Sequence, residues 1–356
     1  MAKRVSTKLR AGIVGAGLIA VKKHMPAFRK QRGRVFLAAV CDLNEEAARE
    51  AASTFRIPGV YTDLFEMLAQ EDLDLLDICT PPSTHARLAV EAMKHGCHVL
   101  IEKPMALSVA DCDSIVSASK EFGAKVCIVH SDLFYWPFMK AREVMEQGRL
   151  GSFRGMRIFL STPTDYMTSD GDHWVHKLPG DVIAETGPHV VYLSLPFIGP
   201  IREVTVNAMK LMSYPWSPFE DYRIDLIGDR GMSSVTLSYA TNQWMARVDI
   251  LGSEGTLILD LEGLTFVKYR RHDLTSLPVA LSLLGEAGQI VGSLLSNATR
   301  SIAGRLGTTQ ELVLSRFLDS IRADTASPVP AEEGREVVRV TNMILERLDD
   351  SSRAPL

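Results

Sequence analysis

LRAGIVGAGLIA, residues Leu9 to Ala20, is an apolar run that breaks at two glycines and resumes with helix-forming residues. That is the composition of a strand, a tight turn and a helix start. The turn, Gly15-Ala16-Gly17-Leu18-Ile19-Ala20, has the G-x-G-x-x-A form of a dinucleotide fingerprint. In such a turn Gly15 permits the tight bend, Gly17 lets the backbone approach a pyrophosphate, and Ala20 allows close helix–strand packing. Leu18 and Ile19 open the helix, whose free N–H groups and positive dipole end would face the phosphates.

The residues that follow extend this reading. FLAAVC, Phe36 to Cys41, is a second apolar strand and ends in Asp42, about 25 residues beyond Gly17 and close to the ~20 expected for an acid that holds the adenosine ribose. A carboxylate there accepts from both ribose hydroxyls and repels a 2′-phosphate, so Asp42 favours NAD over NADP. The alternative is that Asp42 caps the helix starting near Asn44. Helix and strand then alternate, the pattern of a parallel sheet with helices on both faces. Leu75 to Cys79 is a strand that runs into Thr80-Pro81-Pro82, and Ser83 is the expected cap of a helix through Lys94. His98 to Ile101 is another, delivering Glu102-Lys103-Pro104 at its carboxyl end, where doubly wound sheets bind ligands. A lysine there can exchange a proton with a hydroxyl oxygen while hydride leaves or reaches its carbon; the bland alternative is a solvated lysine at a strand end.

Composition sets the bounds. At 356 residues two domains are expected; 46% hydrophobic and 23% charged residues suit a globular chain, and a net charge of −4 argues against nucleic acid. The basic start MAKRVSTKLR is not followed by a signal-peptide pattern, and no run of ~20 uninterrupted apolar residues suggests a membrane span. Five cysteines, Cys41, Cys79, Cys97, Cys112 and Cys127, form no C-x-x-C pair and read as core residues of a reduced, cytoplasmic protein.

From Phe153 the texture changes. FRGMRIFL, REVTVNAM, DYRIDLIG, MSSVTLSY, WMARVDILG, GTLILD and LTFVKY succeed one another with short turns, which predicts a large open, mainly antiparallel sheet. Between the first two lie Tyr166, His173, Trp174, His176 and Lys177, candidate substrate contacts together with Tyr135 at the crossing into this region. His173-x-x-His176 lacks a third ligand, so no metal is expected. Leu274 to Gly304 carries apolar residues at helical spacing and predicts one or two amphipathic helices, serving as a lid, a subunit contact or plain packing. Helices are expected from Thr308 and from about Ala331, with fraying after Asp349.

GAGLIA, Asp42, CTPPSTH at Cys79 to His85 and above all HVLIEKP at His98 to Pro104 resemble the Gfo/Idh/MocA oxidoreductases, the glucose-fructose oxidoreductase and inositol dehydrogenase family. The resemblance implies a Rossmann domain over 1–130 and an α+β substrate and oligomerisation domain over 131–356 with a helical insertion at 274–304. It marks Lys103 as catalytic and implies cofactor contacts from Gly15, Gly17, Leu18, Ile19 and Asp42 and from Thr80, Pro81, Pro82, His85, Glu102 and Lys103. Gly180 to His189 is similar to the family's glycine-rich segment ending in D-x-G-x-H. His189 matches its histidine, placed at a helix start with Pro188 in the first turn. Glu185 stands in place of the aspartate, its carboxylate displaced by about 1.5 Å on an unchanged backbone. It could orient His189 or Lys103, bind a substrate hydroxyl, or pair with an arginine. The function implied is NAD-dependent hydride transfer at a secondary alcohol or ketone of a sugar, polyol or related molecule, in a homo-oligomer (dimer or tetramer) built through the second sheet. Two rivals are a redox-neutral, NAD-dependent glycosidase and a non-catalytic dinucleotide sensor.

Overall fold

The computed structural model describes residues 8–271, 273–302 and 307–353. Most of the basic start, the end of the 274–304 insertion and the last three residues of the chain lie outside the described residues, and so do the expectations that rest on them. The chain divides into two compact units, residues 1–131 with 307–339 and residues 132–306 with 340–356. The segment 307–339 therefore returns to the first unit instead of staying with the second.

In the first unit, β1 (Leu9–Val14) leads through a π-helical turn (Ala20–His24) into α1 (Met25–Lys30). There follow β2 (Val35–Cys41), α2 (Glu45–Phe55), β3 (Gly59–Tyr61), α3 (Leu64–Gln70), β4 (Leu75–Ile78), α4 (Pro82–Lys94), β5 (His98–Ile101), α5 (Val109–Phe122) and β6 (Val126–Ile128). The six strands are parallel in the order β3-β2-β1-β4-β5-β6. Strand order reverses between β1 and β4, the switch point at which doubly wound sheets bind dinucleotides. Both strands are buried on both faces, which is why their sequences are apolar without alternation. Caps follow side-chain chemistry: Asn44 accepts from Glu46 and Ala47 N–H, and Asp63 from Glu66 N–H. At α4 the expected Ser83 cap is replaced by Pro81, because Pro82 takes the first helical position, where its missing N–H costs nothing. α9 (Thr309–Ala323), capped by Thr308, packs on α1, with Lys30 paired to Glu311 at 2.8 Å.

In the second unit, α6 (Trp136–Glu146), β7 (Phe153–Pro163) and α7 (Val182–Ile198) precede β8 (Ile201–Met209), β9 (Asp221–Gly228), β10 (Gly231–Thr241), β11 (Met245–Gly252), β12 (Gly255–Asp260) and β13 (Thr265–Tyr269). These are the seven runs read in the sequence. Their order is β13-β12-β11-β7-β10-β9-β8, antiparallel except where β7 meets β10. In β10 the inward set Val235, Leu237 and Tyr239 is buried, and α7 packs against β10, β9 and β7. The 274–304 insertion is a single helix, α8 (Ser276–Ile302). α10 (Ala331–Arg353) continues four residues past Asp349, where fraying was expected.

Candidate active site

The fingerprint turn is shaped by what surrounds its two glycines. Gly15 has φ +95°, and a Cβ there would lie 2.7 Å from the carbonyl carbon and oxygen of Cys79. The carboxyl end of β4 thus abuts the turn so closely that only glycine fits. A Cβ on Gly17 would meet nothing within 4 Å, so the space beside its backbone is open, as a close-approaching pyrophosphate requires. Ala20 is fully buried in a cluster with Ile13 and Val40, the close packing its position calls for. Leu18 is exposed beside the turn.

Asp42 is not the cap of α2; that role belongs to Asn44. Its carboxylate accepts the Ala16 N–H at 2.6 Å and the Asn44 N–H at 2.8 Å, tying the second strand's end to the glycine turn. This fixes an acid beside the open backbone of Gly17, and the residues present fit an NAD-type dinucleotide.

Behind these loops sits a buried triad not anticipated from the sequence. His24, at the end of the π-helical turn, places Nδ1 2.8 Å from Asp77 Oδ2 and Nε2 2.7 Å from Glu102 Oε1. Burial, the largest single influence, opposes charge on the imidazole, but Asp77 and Cys79 together outweigh it and raise the His24 pKa well above its ordinary value. Glu102 shows the counterpart: burial would raise its pKa, the hydrogen bond from His24 lowers it, and the net shift is downward. An imidazolium therefore bridges two buried carboxylates. His24, Asp77 and Cys79 offer ligand atoms within 4.8 Å of one another. Both imidazole nitrogens are engaged by carboxylates, so the cluster closes as an ion-paired triad.

The triad bears directly on Lys103. Glu102 Oε2 accepts the Lys103 N–H at 3.0 Å, so one carboxylate joins the charged histidine to the backbone of the lysine. His85 braces the same segment from the other side, with Nδ1 3.0 Å from the Pro104 carbonyl and Nε2 2.8 Å from the Thr80 carbonyl. His85 was expected among the cofactor contacts; it is fully buried between these two carbonyls, burial lowers its pKa so that the neutral ring donates to one of them, and it sits between the Thr80-Pro81-Pro82 loop and the Glu102-Lys103-Pro104 loop. Glu102, also expected there, is buried and spent on His24 and on the Lys103 backbone. Lys103 itself is partly exposed.

The second unit carries the other chemistry. α7 begins at Val182, not at His189, because Asp181 caps it by accepting the Val182 N–H. Pro188 and His189 therefore lie inside the helix, where Pro188 forfeits one backbone hydrogen bond. Asp181 holds φ +62°, an uncommon conformation for a residue with a side chain. Its carboxylate is 2.9 Å from His176 Nδ1, and His176 Nε2 lies 3.2 Å from the Met167 carbonyl. His176, expected to touch substrate, has both nitrogens committed to holding this loop. Glu185 lies in the first turn of α7, one turn before His189 and on the same helix face.

His189 Nδ1 is 2.6 Å from Asp132 Oδ2, and the Tyr192 hydroxyl lies 2.6 Å from the same nitrogen while also bonding Asp132. A carboxylate at Nδ1 holds the ring proton there and leaves Nε2 as the acceptor nitrogen. Burial and the Asp132 charge push the Tyr192 hydroxyl pKa well up, so it acts as a donor. Tyr135 is pushed up for the same two reasons and stays protonated. Tyr166 is exposed edge-on to Trp244 at 4.7 Å, His173 packs beside the exposed Trp174 at 5.7 Å, and Lys177 is exposed.

The family model described as an oxidoreductase family with an NAD-binding Rossmann fold, GFO_IDH_MocA, matches residues 9–130, the stretch that holds the turn, Asp42 and Lys103. The first unit matches the NAD-binding Rossmann domain of the Gfo/Idh/MocA oxidoreductases. The D-apiose dehydrogenase of Paraburkholderia graminis is 26% identical over 263 residues, covering 72% of this chain and 68% of that protein. The myo-inositol 2-dehydrogenase of Thermotoga maritima is 27% identical over 270 residues, covering 71% and 75%. Among solved structures, the WlbA dehydrogenase of Bordetella pertussis, in complex with NADH and UDP-GlcNAcA, superposes with a TM-score of 0.78 at 23% identity over 97% of this chain and 96% of that one. That likeness establishes the fold of both units. The matched stretch, residues 9–130, is an NAD-binding Rossmann fold.

His24, Asp77, Asp132 and Tyr192 were missed. Asp77 had a signal: a charge within the apolar strand LLDI demands a buried partner. Asp132 had none, since 57 residues separate it from His189.

Proposed function

We propose that this oxidoreductase moves a hydride between NAD and a secondary alcohol or its ketone on a sugar, polyol or related small molecule, with Lys103 of the first unit and His189 of the second as its proton-transfer groups. The observation that carries the reading is the anchoring of both groups: Lys103 through Glu102 to His24, and His189 through Nδ1 to Asp132. A binding protein has no need of two proton-transfer groups held this way.

When bound, NAD accepts the hydride in oxidation and supplies it in reduction. In the oxidative direction the Lys103 amine would take up the hydroxyl proton of the substrate carbinol. His189 is the second proton-transfer group: its Nε2 would hydrogen-bond a substrate oxygen, and Asp132 at Nδ1 would stabilise the ring whenever it takes up a proton. Glu185, one turn along α7, binds a neighbouring substrate hydroxyl; two or more hydroxyls in a fixed relation are what sugars and polyols offer. Tyr166, Trp174 and Lys177 extend the contact surface, the two aromatic rings suiting the C–H faces of a sugar. The names of the relatives support this substrate class, since apiose and inositol are polyhydroxylated.

Cytoplasmic residence belongs to the same reading: all five cysteines are free and buried, and burial pushes the thiols of Cys41, Cys79, Cys112 and Cys127 up to about 12. Self-association through the second sheet, without nucleic acid or membrane, completes it; the net charge of −4 supports the absence of nucleic acid. The test is substrate-dependent NADH formation that Lys103→Met and His189→Ala each abolish while NAD binding persists.

A further inference from the structure

α8 is amphipathic the wrong way round for a helix on a protein surface. Its polar stripe faces inward, onto β13, the edge strand of the second sheet. Gln289 Oε1 accepts the Lys268 N–H at 2.8 Å, Ser293 Oγ accepts the Phe266 N–H, and Asn297 Nδ2 donates to the Leu264 carbonyl at 2.8 Å. Glu286 pairs with Arg271 at 3.1 Å, and Trp136 Nε1 donates to Asn297 Oδ1 at 3.0 Å. The helix thus satisfies the open backbone of an edge strand, as a further strand would. At 3.6 residues per turn the opposite side, about 180° away, is apolar.

That outward side is a seam with a repeat. From Leu277 it steps by four and three residues in turn through Leu284, Val291 and Ala298 to Ile302, with Leu281, Gly288 and Leu295 between. A 3.5-residue repeat over nearly four heptads is the pattern of a helix facing another helix. Nine large apolar side chains of α8 are 41% to 88% exposed. They present on the order of 900 Å², more than the ~800 Å² one partner gives to a standard interface and more than the ~300–600 Å² patch of an ordinary monomer. Gly285, Gly288 and Gly292 are unexplained within the chain: a Cβ on any of them would meet nothing within 4 Å. Glycine inside a helix is costly, and here only a closely approaching neighbour gives it a use.

We propose that this face of α8 is the contact between two copies of the chain, α8 against α8 about a two-fold axis. The helix is also long and apolar enough to cross a membrane by length and composition. Crossing would strip its polar stripe from β13, and lying on a lipid surface calls for a basic polar face, whereas α8 has one cation, Arg300, stacked over Trp136. Neither lipid arrangement asks for a 3.5-residue repeat. The seam carries no charge, so a second copy of itself is a complementary partner.

The test is sedimentation equilibrium of the full chain, wild type against Leu284→Glu/Leu295→Glu and against Gly288→Leu, with flotation on phosphatidylcholine/phosphatidylglycerol vesicles alongside. The wild type is expected to stay with the protein fraction and to sediment at a multiple of the chain mass. The double variant should halve that mass, with a dissociation constant raised roughly 100-fold or more, while circular dichroism and NAD binding are unchanged. Gly288→Leu adds a better helix former in open space, so its melting temperature should not fall in the dissociated chain, yet it too should weaken association. An unchanged mass in both variants, a monomeric wild type, or a wild type that floats with the vesicles overturns the proposal.

Discussion

Replacing His24 by Gln removes the imidazolium that Asp77 and Glu102 share and leaves two buried carboxylates with one neutral partner. Removing one member of a buried pair costs about 3–5 kcal/mol, a large part of the 5–15 kcal/mol that holds a typical protein together. The pH dependence is more diagnostic than the size. His24 is raised in the folded state, so in the wild type its stabilisation is fully present below about pH 6.5, the unfolded value, and fades as pH rises through the folded pKa. Glu102 is lowered, so its contribution is present above about pH 4.5 and lost as pH falls through its folded pKa. Between about pH 5 and 6.5 the wild type therefore neither gains nor loses a proton on folding through this cluster.

The variant cannot bury two adjacent anions, so its carboxylate pair takes up one proton on folding and loses about 1.4 kcal/mol of stability per pH unit. The gap between the two proteins should widen by roughly 2 kcal/mol from pH 5 to 6.5 and then run parallel, since above pH 6.5 each folded form retains one proton that its unfolded chain has released. Urea unfolding at pH 5, 6, 6.5 and 8 reads this directly. A gap under ~1 kcal/mol, or one that does not change with pH, would refute the charged triad.

Other outcomes follow from single contacts. Gly15→Ala should destabilise the first unit by about 2 kcal/mol or more, from the positive φ and the collision with Cys79, whereas Gly17→Ala should leave stability unchanged and weaken NAD roughly tenfold; paired melting and NAD titrations separate them. Asp42→Ser should narrow the preference for NAD over NADP, measured as the ratio of kcat/KM values. Asp132→Asn can no longer hold the ring proton on Nδ1 as a carboxylate does, and should lower kcat on the order of 100-fold with little change in KM.

The fold was legible because its signals are local: the fingerprint turn, the apolar β1 and β4, and the seven alternating runs each declare themselves within a dozen residues. The proposed roles of Lys103 and His189 rest on compact motifs of the same local kind. What supports them was not legible, because His24 meets partners 53 and 78 residues away and Asp132 meets His189 across 57. The start of α7 was misplaced because Gly187-Pro188 looks like a helix boundary, while the real cap, Asp181, accepts from the residue next to it. His176 looked like a substrate contact until its two nitrogens were accounted for.

The central claim is hydride transfer at a polyhydroxylated substrate, with Lys103 in the proton path. The most direct measurement follows reduced-nicotinamide absorbance while polyols, aldoses, sugar acids and sugar phosphates are offered with NAD or NADP, with Lys103→Met in parallel. The account predicts NADH formation with at least one member of the panel, preference for NAD, and loss of turnover in Lys103→Met with NAD binding intact. Turnover that survives in Lys103→Met, or NAD binding with no reduction across the panel, would contradict it.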